Sequence, residues 1–299
     1  TDGVMVHGGF FLGPQSSYER LRELPAERLS QFNMTAISYI NELYGDEQLK
    51  RLQRRDARFI NSAFTVTLMG AAVSDQLADG RVVSGVGGQY NFVAQAHALE
   101  DARSILILRS WRESGGDVTS NIVWEYGHTT IPRHLRDIVV TEYGIADLRG
   151  KTDAAVIEAM LNISDSRFQP GLIEQAQKMG KLPKDFRIDP RFAHNTSERL
   201  QEIAEHYSQL FPEYPLGCDF NPEERDLLRA LNWLESKFKL TEIIELGKAT
   251  LDAPEPAAFM PHLERMQLYQ PQGWKEELYQ RLLLAGLQST VRSETTPNS

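Results

Sequence analysis

The chain has 299 residues, 41% of them apolar and 24% charged, with a formal net charge of -9. That length holds one large α/β domain or two smaller ones around a sizeable core, and the acidic balance argues against nucleic acid as a partner, because phosphate backbones would be repelled. The one basic cluster, KRLQRRDAR at 50–58, alternates with apolar positions as a solvated helix face does. A single cysteine, Cys218, precludes an intrachain disulfide and a multi-cysteine zinc site and reads as a cytoplasmic chain. No apolar run reaches the roughly 18–20 residues of a membrane helix. Thr1-Asp2-Gly3 is polar, lacks the basic start of a signal peptide and is not preceded by methionine. The expectation is a soluble cytoplasmic protein without a membrane partner, cut from or processed out of a longer one.

In chain order, VMVHGGFF (4–11) reads as a strand and SSYERLREL (16–24) as a helix, followed by a strand at MTAISYI (34–40) and a helix at EQLKRLQRR (47–55). FINSAFTVTLMG (59–70), RVVS (81–84), SILIL (104–108), NIVWEYG (121–127) and DIVVTEYG (137–144) are strand-like, with a helix at NFVAQAHAL (91–99) and a polar loop at RESGGD (112–117). SILIL and DIVV are continuous apolar runs, as expected of strands buried on both faces. Strands alternating with helices predict a mostly parallel open α/β sheet flanked by helices, with ligands at the carboxyl ends of the strands.

After Lys151 helical patterns dominate. TDAAVIEAMLNI (152–163) has Thr152 as its N-cap and Asp153 in its first turn. KLPKDFRIDP (181–190) is a proline-bearing connector, and NTSERLQEIAEHY (195–207), NPEERDLLRALNWLESKF (221–238) and GWKEELYQRLLLAGL (273–287) are amphipathic helices. In the second of these, Leu227, Leu228, Leu231 and Leu234 form an apolar stripe. The expected division is an α/β domain over 1–190 and a helical C-terminal extension over 191–299, ending in a disordered tail, SETTPNS.

Two candidate chemistries fall away on spacing. A phosphate loop needs a glycine, four residues, then Gly-Lys-Ser/Thr, whereas Gly144 and Gly150-Lys151-Thr152 are separated by five residues, with apolar Ile145 and Leu148 where amides should wrap phosphate. An NTPase reading rests on that stretch alone. The seven histidines are scattered, His128 and His134 share no helix face and no HExxH occurs, so no metal site is expected. SGVGGQYNFV (84–93) is different. Gly85, Gly87 and Gly88 lie between the strand-like RVVS and an apolar helix, although Tyr90 breaks the dinucleotide fingerprint. Backbone N–H groups near a helix N-terminus favour an anion, and glycine would let it approach; a structural turn is the competing reading.

Taken together, GVGGQYNFV, SILIL and IVVTEYGIADLRGK resemble the C-terminal domain of the acetyl-CoA hydrolase/transferase family, as do NSAFTVTLMG (61–70) and HGGFFLGPQSSYERL (7–21). The resemblance covers roughly residues 4–168. It implies that a glutamate attacks an acyl-CoA thioester, that an acyl anhydride and then an enzyme–CoA thioester form, and that CoA passes to a small carboxylate; water in its place would make the site a hydrolase. It assigns catalytic roles to Gly87 and Gly88 as oxyanion donors, to Asn61 and to Glu142, and acyl-CoA contacts to Gly85, Val86, Gln89, Tyr90, Tyr143 and Gly144. Coenzyme A is then a substrate, with no permanently bound cofactor. The implied partners are an N-terminal sister domain upstream and a second copy in a homodimer. Two departures stand out. The family's E-V-D is Thr65-Val66-Thr67 here, and its D-F is Asn91-Phe92. The nucleophilic glutamate is expected upstream of the stretch matched by 4–11, and Glu113 and Glu125 do not replace it by motif, so the chain alone is expected to be inactive. A non-catalytic CoA-binding or scaffold module is the rival reading.

Overall fold

The computed structural model describes residues 3–215, 217–237, 250 and 253–291. It divides into two compact units, residues 1–11 with 24–213 and residues 12–23 with 214–299. In chain order the elements are β1 (Val6–Gly8), α1 (Gln15–Glu23), α2 (Ala26–Leu29), β2 (Phe32–Met34), α3 (Ile37–Asn41), α4 (Glu47–Gln53), β3 (Arg58–Ser62), β4 (Thr65–Thr67), β5 (Ala72–Val73) and α5 (Gln89–Ala98). They continue with β6 (Arg103–Ile107), β7 (Trp111–Ser114), β8 (Asp117–Ser120), β9 (Ile122–Val123), β10 (Ile138–Thr141), β11 (Gly144–Asp147), α6 (Asp153–Asn162), α7 (Gln169–Lys178), α8 (Ser197–His206), α9 (Pro222–Lys237), α10 (Met260–Arg265) and α11 (Trp274–Val291).

The first unit is a mixed α/β fold. Its largest sheet has the order β11-β10-β6-β3, in which β3, β6 and β10 are parallel and β11 returns antiparallel at the edge. A second sheet, β5-β4-β9, carries Val66 and Ile122 at a parallel pair. One face of the larger sheet presents Leu106, Val139 and Ala146 to α5 and α6, whose Val93, Val156, Ile157 and Met160 belong to the same buried cluster. The other face presents Ile60, Ile105 and Ile138 in one row and Ile107, Val140 and Ile145 in the next. Ile60, Ile107 and Ile145 on that face are 62%, 40% and 71% exposed. The expectation of strands buried on both faces therefore holds on one face only.

Several local readings are corrected. The strand expected over 4–11 is confined to β1, and the stretch 34–40 ends one short strand, β2, and then enters α3. Side chains of α4 and its C-cap take carbonyls at the end of this stretch and just beyond it. Lys50 Nζ donates to the carbonyls of Glu42 and Tyr44, both at 2.8 Å, and Arg54 donates to Tyr39 O at 3.0 Å and Ile40 O at 3.2 Å. Lys50 is 1% exposed, so the basic cluster is not a solvated face throughout. RESGGD is a hairpin, β7-β8, in which Ser114 pairs with Asp117 and Gly115 and Gly116 have φ of 63° and 91°; positive φ at both central residues is the requirement of a two-residue type I′ turn. RVVS contributes a single bridge, Gln76 to Val82.

The second unit is helical. α9 and α11 pack on one another around Leu227, Ala230, Leu263, Leu283, Leu284 and Leu287. Gly286 allows the approach, because a Cβ there would stand 2.9 Å from the Ala230 carbonyl oxygen. Leu231 of the expected stripe is 41% exposed. Phe238 and the tail 293–299 lie outside the described residues.

Candidate functional site

The carboxyl ends of β3, β6 and β10 gather the sequence-designated residues from two directions. The glycine loop lies at the end of β3. Gln89 begins α5, and its Nε2 donates to Ser62 O, the last carbonyl of β3, at 2.8 Å. Gly88 is the N-cap, with φ -88° and no side chain to cap the helix. The first intrahelical bond at this end runs from Phe92 N–H to Gly88 O. The amides of Gln89, Tyr90 and Asn91 precede it and have no intrahelical acceptor. They point along the positive end of the helix dipole, which favours an anion or a developing oxyanion.

The three glycines differ in what requires them. Gly87 has φ 58°, a conformation that glycine adopts without strain. Gly88 has ordinary backbone, but a Cβ there would overlap the Asn41 carboxamide. Around Gly85 a Cβ would meet nothing within 4 Å. Three carboxamide atoms near this helix start are sealed from water without a partner: Asn41 Oδ1, Asn61 Nδ2 and Gln89 Oε1. Each such atom costs about 1–3 kcal/mol while it stays unpaired.

Glu142, Tyr143 and Gly144 form the turn between β10 and β11. Glu142 accepts two hydrogen bonds from one residue, Ser110 N–H at 2.8 Å and Ser110 Oγ at 2.9 Å. Tyr143 donates its hydroxyl to Asp165 at 2.7 Å. Burial, and then Asp165, raise the Tyr143 pKa above the ordinary tyrosine value. Asp165 is fully buried and also accepts from Arg167 Nε and Nη2, both at 2.8 Å. Its own burial opposes ionisation, yet Arg167 and the Tyr143 hydroxyl hold its carboxyl below the usual range. Since β6 lies between β3 and β10 and Asn61 stands level with Val139 through Leu106, Glu142 lies two strand spacings across and three residues further along, about 14 Å from Asn61. The structure thus brings Asn61, Gly88 and Gln89 into one group and Glu142, Tyr143 and Gly144 into another.

Two clefts flank the glycine loop. The larger, of about 970 Å³, is lined by Ala63, Phe64, Val83, Arg109, Trp111 and Asn121 among others, and Glu113 of the hairpin reaches it. The smaller, of about 340 Å³, is lined by Asn41, Glu42, Tyr44, Tyr90, Asn91 and Gln95 among others. Val86 is 40% and Tyr90 48% exposed. Sequence reasoning missed Arg109, a cation at the rim of the larger cleft directly after SILIL. It also missed Ser110, whose partner Glu142 is 32 residues away. Thr65 and Thr67, which replace charged residues of the family pattern, are 1% and 8% exposed, and Thr67 Oγ1 accepts from Ala71 N–H at 3.0 Å. Uncharged side chains suit those buried positions. No group of three or more His, Cys, Asp or Glu side chains able to hold a metal occurs among the described residues, nor is any described helix long and apolar enough to cross a membrane.

A parallel α/β sheet with an uncapped helix start at the carboxyl ends of its strands is the architecture of many anion- and nucleotide-handling domains. The family is more specific. The family model for the acetyl-CoA hydrolase/transferase C-terminal domain matches residues 13–176, and the chain belongs to that family. Among curated proteins it is 30% identical over 182 residues to a probable butyrate:acetyl-CoA coenzyme A-transferase of Syntrophomonas wolfei, covering 60% of this chain and 38% of that protein. It is 28% identical over 170 residues to 4-hydroxybutyrate coenzyme A transferase of Clostridium kluyveri, covering 56% of this chain and 37% of that protein. The chain thus spans well under half the length of these relatives. Among solved structures, RipA from Yersinia pestis superposes with a TM-score of 0.47 at 28% identity, over 57% of this chain and 36% of that one.

Proposed function

We propose that the first unit supplies the acyl-CoA side of an acyl-CoA:carboxylate CoA-transferase or acyl-CoA hydrolase. The observation that carries the reading is the start of α5. There, Gly88 leaves the helix uncapped, and the sealed Asn61 Nδ2 and Gln89 Oε1 lack partners beside it. In this reading the amides from Gly87 and Gly88 onward face the oxyanion of each tetrahedral intermediate, and one such donor is worth about 3–4 kcal/mol. Gly85, Val86, Gln89 and Tyr90 line the acyl-CoA path, with Tyr143 and Gly144 on its far side. Glu142, gripped by Ser110, presents a fixed carboxylate to the pocket. A sister domain supplies the nucleophilic glutamate and covers the exposed isoleucine face of the sheet, since parallel sheets are normally buried on both faces. The nucleophile's carboxylate oxygen bonds to the thioester carbonyl carbon as CoA thiolate leaves. The thiolate then returns to the enzyme acyl group, releasing the first carboxylate, and the acceptor carboxylate repeats the sequence in reverse.

Calorimetric titration with acetyl-CoA and with MgATP tests the reading. Acetyl-CoA heat is expected, and MgATP affinity with none for acetyl-CoA would replace it by the NTPase reading of Gly150-Lys151-Thr152. A non-catalytic CoA-binding module is the second reading, favoured by the uncharged Thr65 and Thr67. Acetyl-CoA binding without CoA exchange into any carboxylate, by the enzyme with its sister domain, would select it.

A further inference from the structure

At the opposite end of the sheet from the glycine loop lies a third cleft, of about 440 Å³. It sits where β6 and β10 begin and where α5 ends, about 15 Å from the start of that helix at 1.5 Å per residue. His97, Arg133, His134, Arg136, Arg149 and Lys151 line it, and no carboxylate does. In a chain of net charge -9, such a concentration of cations runs against the protein's own field and needs a reason.

The carboxylates behind the cleft answer part of its charge. Asp153 lies 3.5 Å from Arg133, 3.7 Å from Arg136 and 2.9 Å from Lys181. Asp137, 3% exposed, accepts from Arg149 at 2.6 Å and from Arg103 at 2.7 Å, and Asp147 accepts from Arg103. Six cations, counting Lys151, therefore meet three carboxylates. Arg136 is pinned by its bonds to Met69 O and Lys151 O, both 3.1 Å, and Arg149 by Ala102 O at 3.1 Å. These bonds fix two guanidinium planes and leave part of each fork unused. Lys151 has no ion-pair partner among the described residues. Arg133, its side chain 58% exposed, touches Asp153 through one nitrogen only.

We propose that this cleft binds the diphosphate group of a small molecule, at a site separate from the glycine loop. Fixed guanidinium forks match phosphoryl oxygens bidentately, and a lysine adds a movable point charge. The cleft volume falls in the range of small-ligand sites. The inference stands independently of the acyl-CoA reading, because none of its residues belongs to that site.

The test is titration of the full chain with inorganic pyrophosphate at low and at moderate salt. The same titration is repeated on Arg133→Ala, Lys151→Ala and the double variant. Both side chains are exposed, so the thermal midpoint without ligand should stay that of the parent. Binding that weakens with salt, and about tenfold or more with each substitution, is expected. Absence of pyrophosphate binding, or equal binding by the double variant, overturns the proposal. Competition with coenzyme A then identifies the source of the diphosphate. Displacement of pyrophosphate by coenzyme A, lost in the double variant, makes it coenzyme A's own; coenzyme A without effect makes it that of another phosphorylated metabolite.

Discussion

Glu142 and Ser110 are joined twice: the serine's backbone N–H and its hydroxyl both donate to the same carboxylate, at 2.8 and 2.9 Å. Ser110 is fully buried three residues past β6 and Glu142 follows β10, so the pair ties the segments leaving two parallel strands at the candidate site. Ser110→Ala removes one donor and keeps the other. A hydrogen bond to a charged group contributes about 1.5–3 kcal/mol, and a loss toward the lower end is expected in urea unfolding, since Glu142 is half-buried. An unchanged midpoint would show that the hydroxyl bond adds nothing.

Gly88 and Asn41 make a steric prediction. Gly88→Ala drives a methyl group into the Asn41 carboxamide and is expected to destabilise the chain by about 1–3 kcal/mol. Asn41→Gly in the same chain should recover most of that loss, a coupling that a double-mutant cycle measures directly. Strict additivity would mean that the contact is absent. For the complete enzyme, Gly88→Val should lower kcat by about 10²–10³ with a smaller effect on KM, the cost of one oxyanion donor.

Lys50 holds the chain between α3 and α4 by donating to two carbonyls, with its ammonium 4.4 Å from the Tyr39 ring centre. Burial, and then the charge of Arg54, lower its pKa. Lys50→Met keeps most of the buried stem but leaves Glu42 O and Tyr44 O without their donor. The expected cost is about 2 kcal/mol, read as a lower unfolding midpoint. Equal or higher stability would mean that burying the charge outweighs its hydrogen bonds.

Asp165 and Tyr143 give stability an acid and an alkaline limb. The Asp165 carboxyl titrates lower in the folded chain than its ordinary 3.8, so its contribution is complete above that value and is lost as pH falls through the folded pKa. The Tyr143 hydroxyl titrates above its ordinary 10.0, so its contribution is complete below that value and is lost as pH rises toward the folded pKa. Urea midpoints across pH should show both limbs. Asp165→Asn should flatten the acid one and Tyr143→Phe the alkaline one; parent-like profiles in both variants would refute the assignment.

The parts of this fold carried by local pattern were legible. SILIL and DIVV announce the central parallel strands, NFVAQAHAL announces α5, and the glycines before it mark the helix start. Contacts that join distant segments were not. MTAISYI is rich in strand formers, yet Arg54 captures the carbonyls of Tyr39 and Ile40, Lys50 those of Glu42 and Tyr44 just beyond, and its second half turns into α3. Gly-Gly between WRES and DVTS carried a hairpin signal that a loop reading overlooked. The exposed isoleucine face could not be inferred from apolar runs, which look alike whether one face of a strand is covered or two. At the candidate site, the sequence indicated Gly87 and Gly88 as a pair. Only coordinates separate a glycine needed for its backbone angle from one needed to make room for Asn41.

Amide hydrogen exchange of the chain with and without acetyl-CoA tests the central claim most directly, because it reports both binding and place. The account predicts slowed exchange at 85–91 and 142–144 when acetyl-CoA is added. Unaltered exchange in the glycine loop at saturating acetyl-CoA would contradict it.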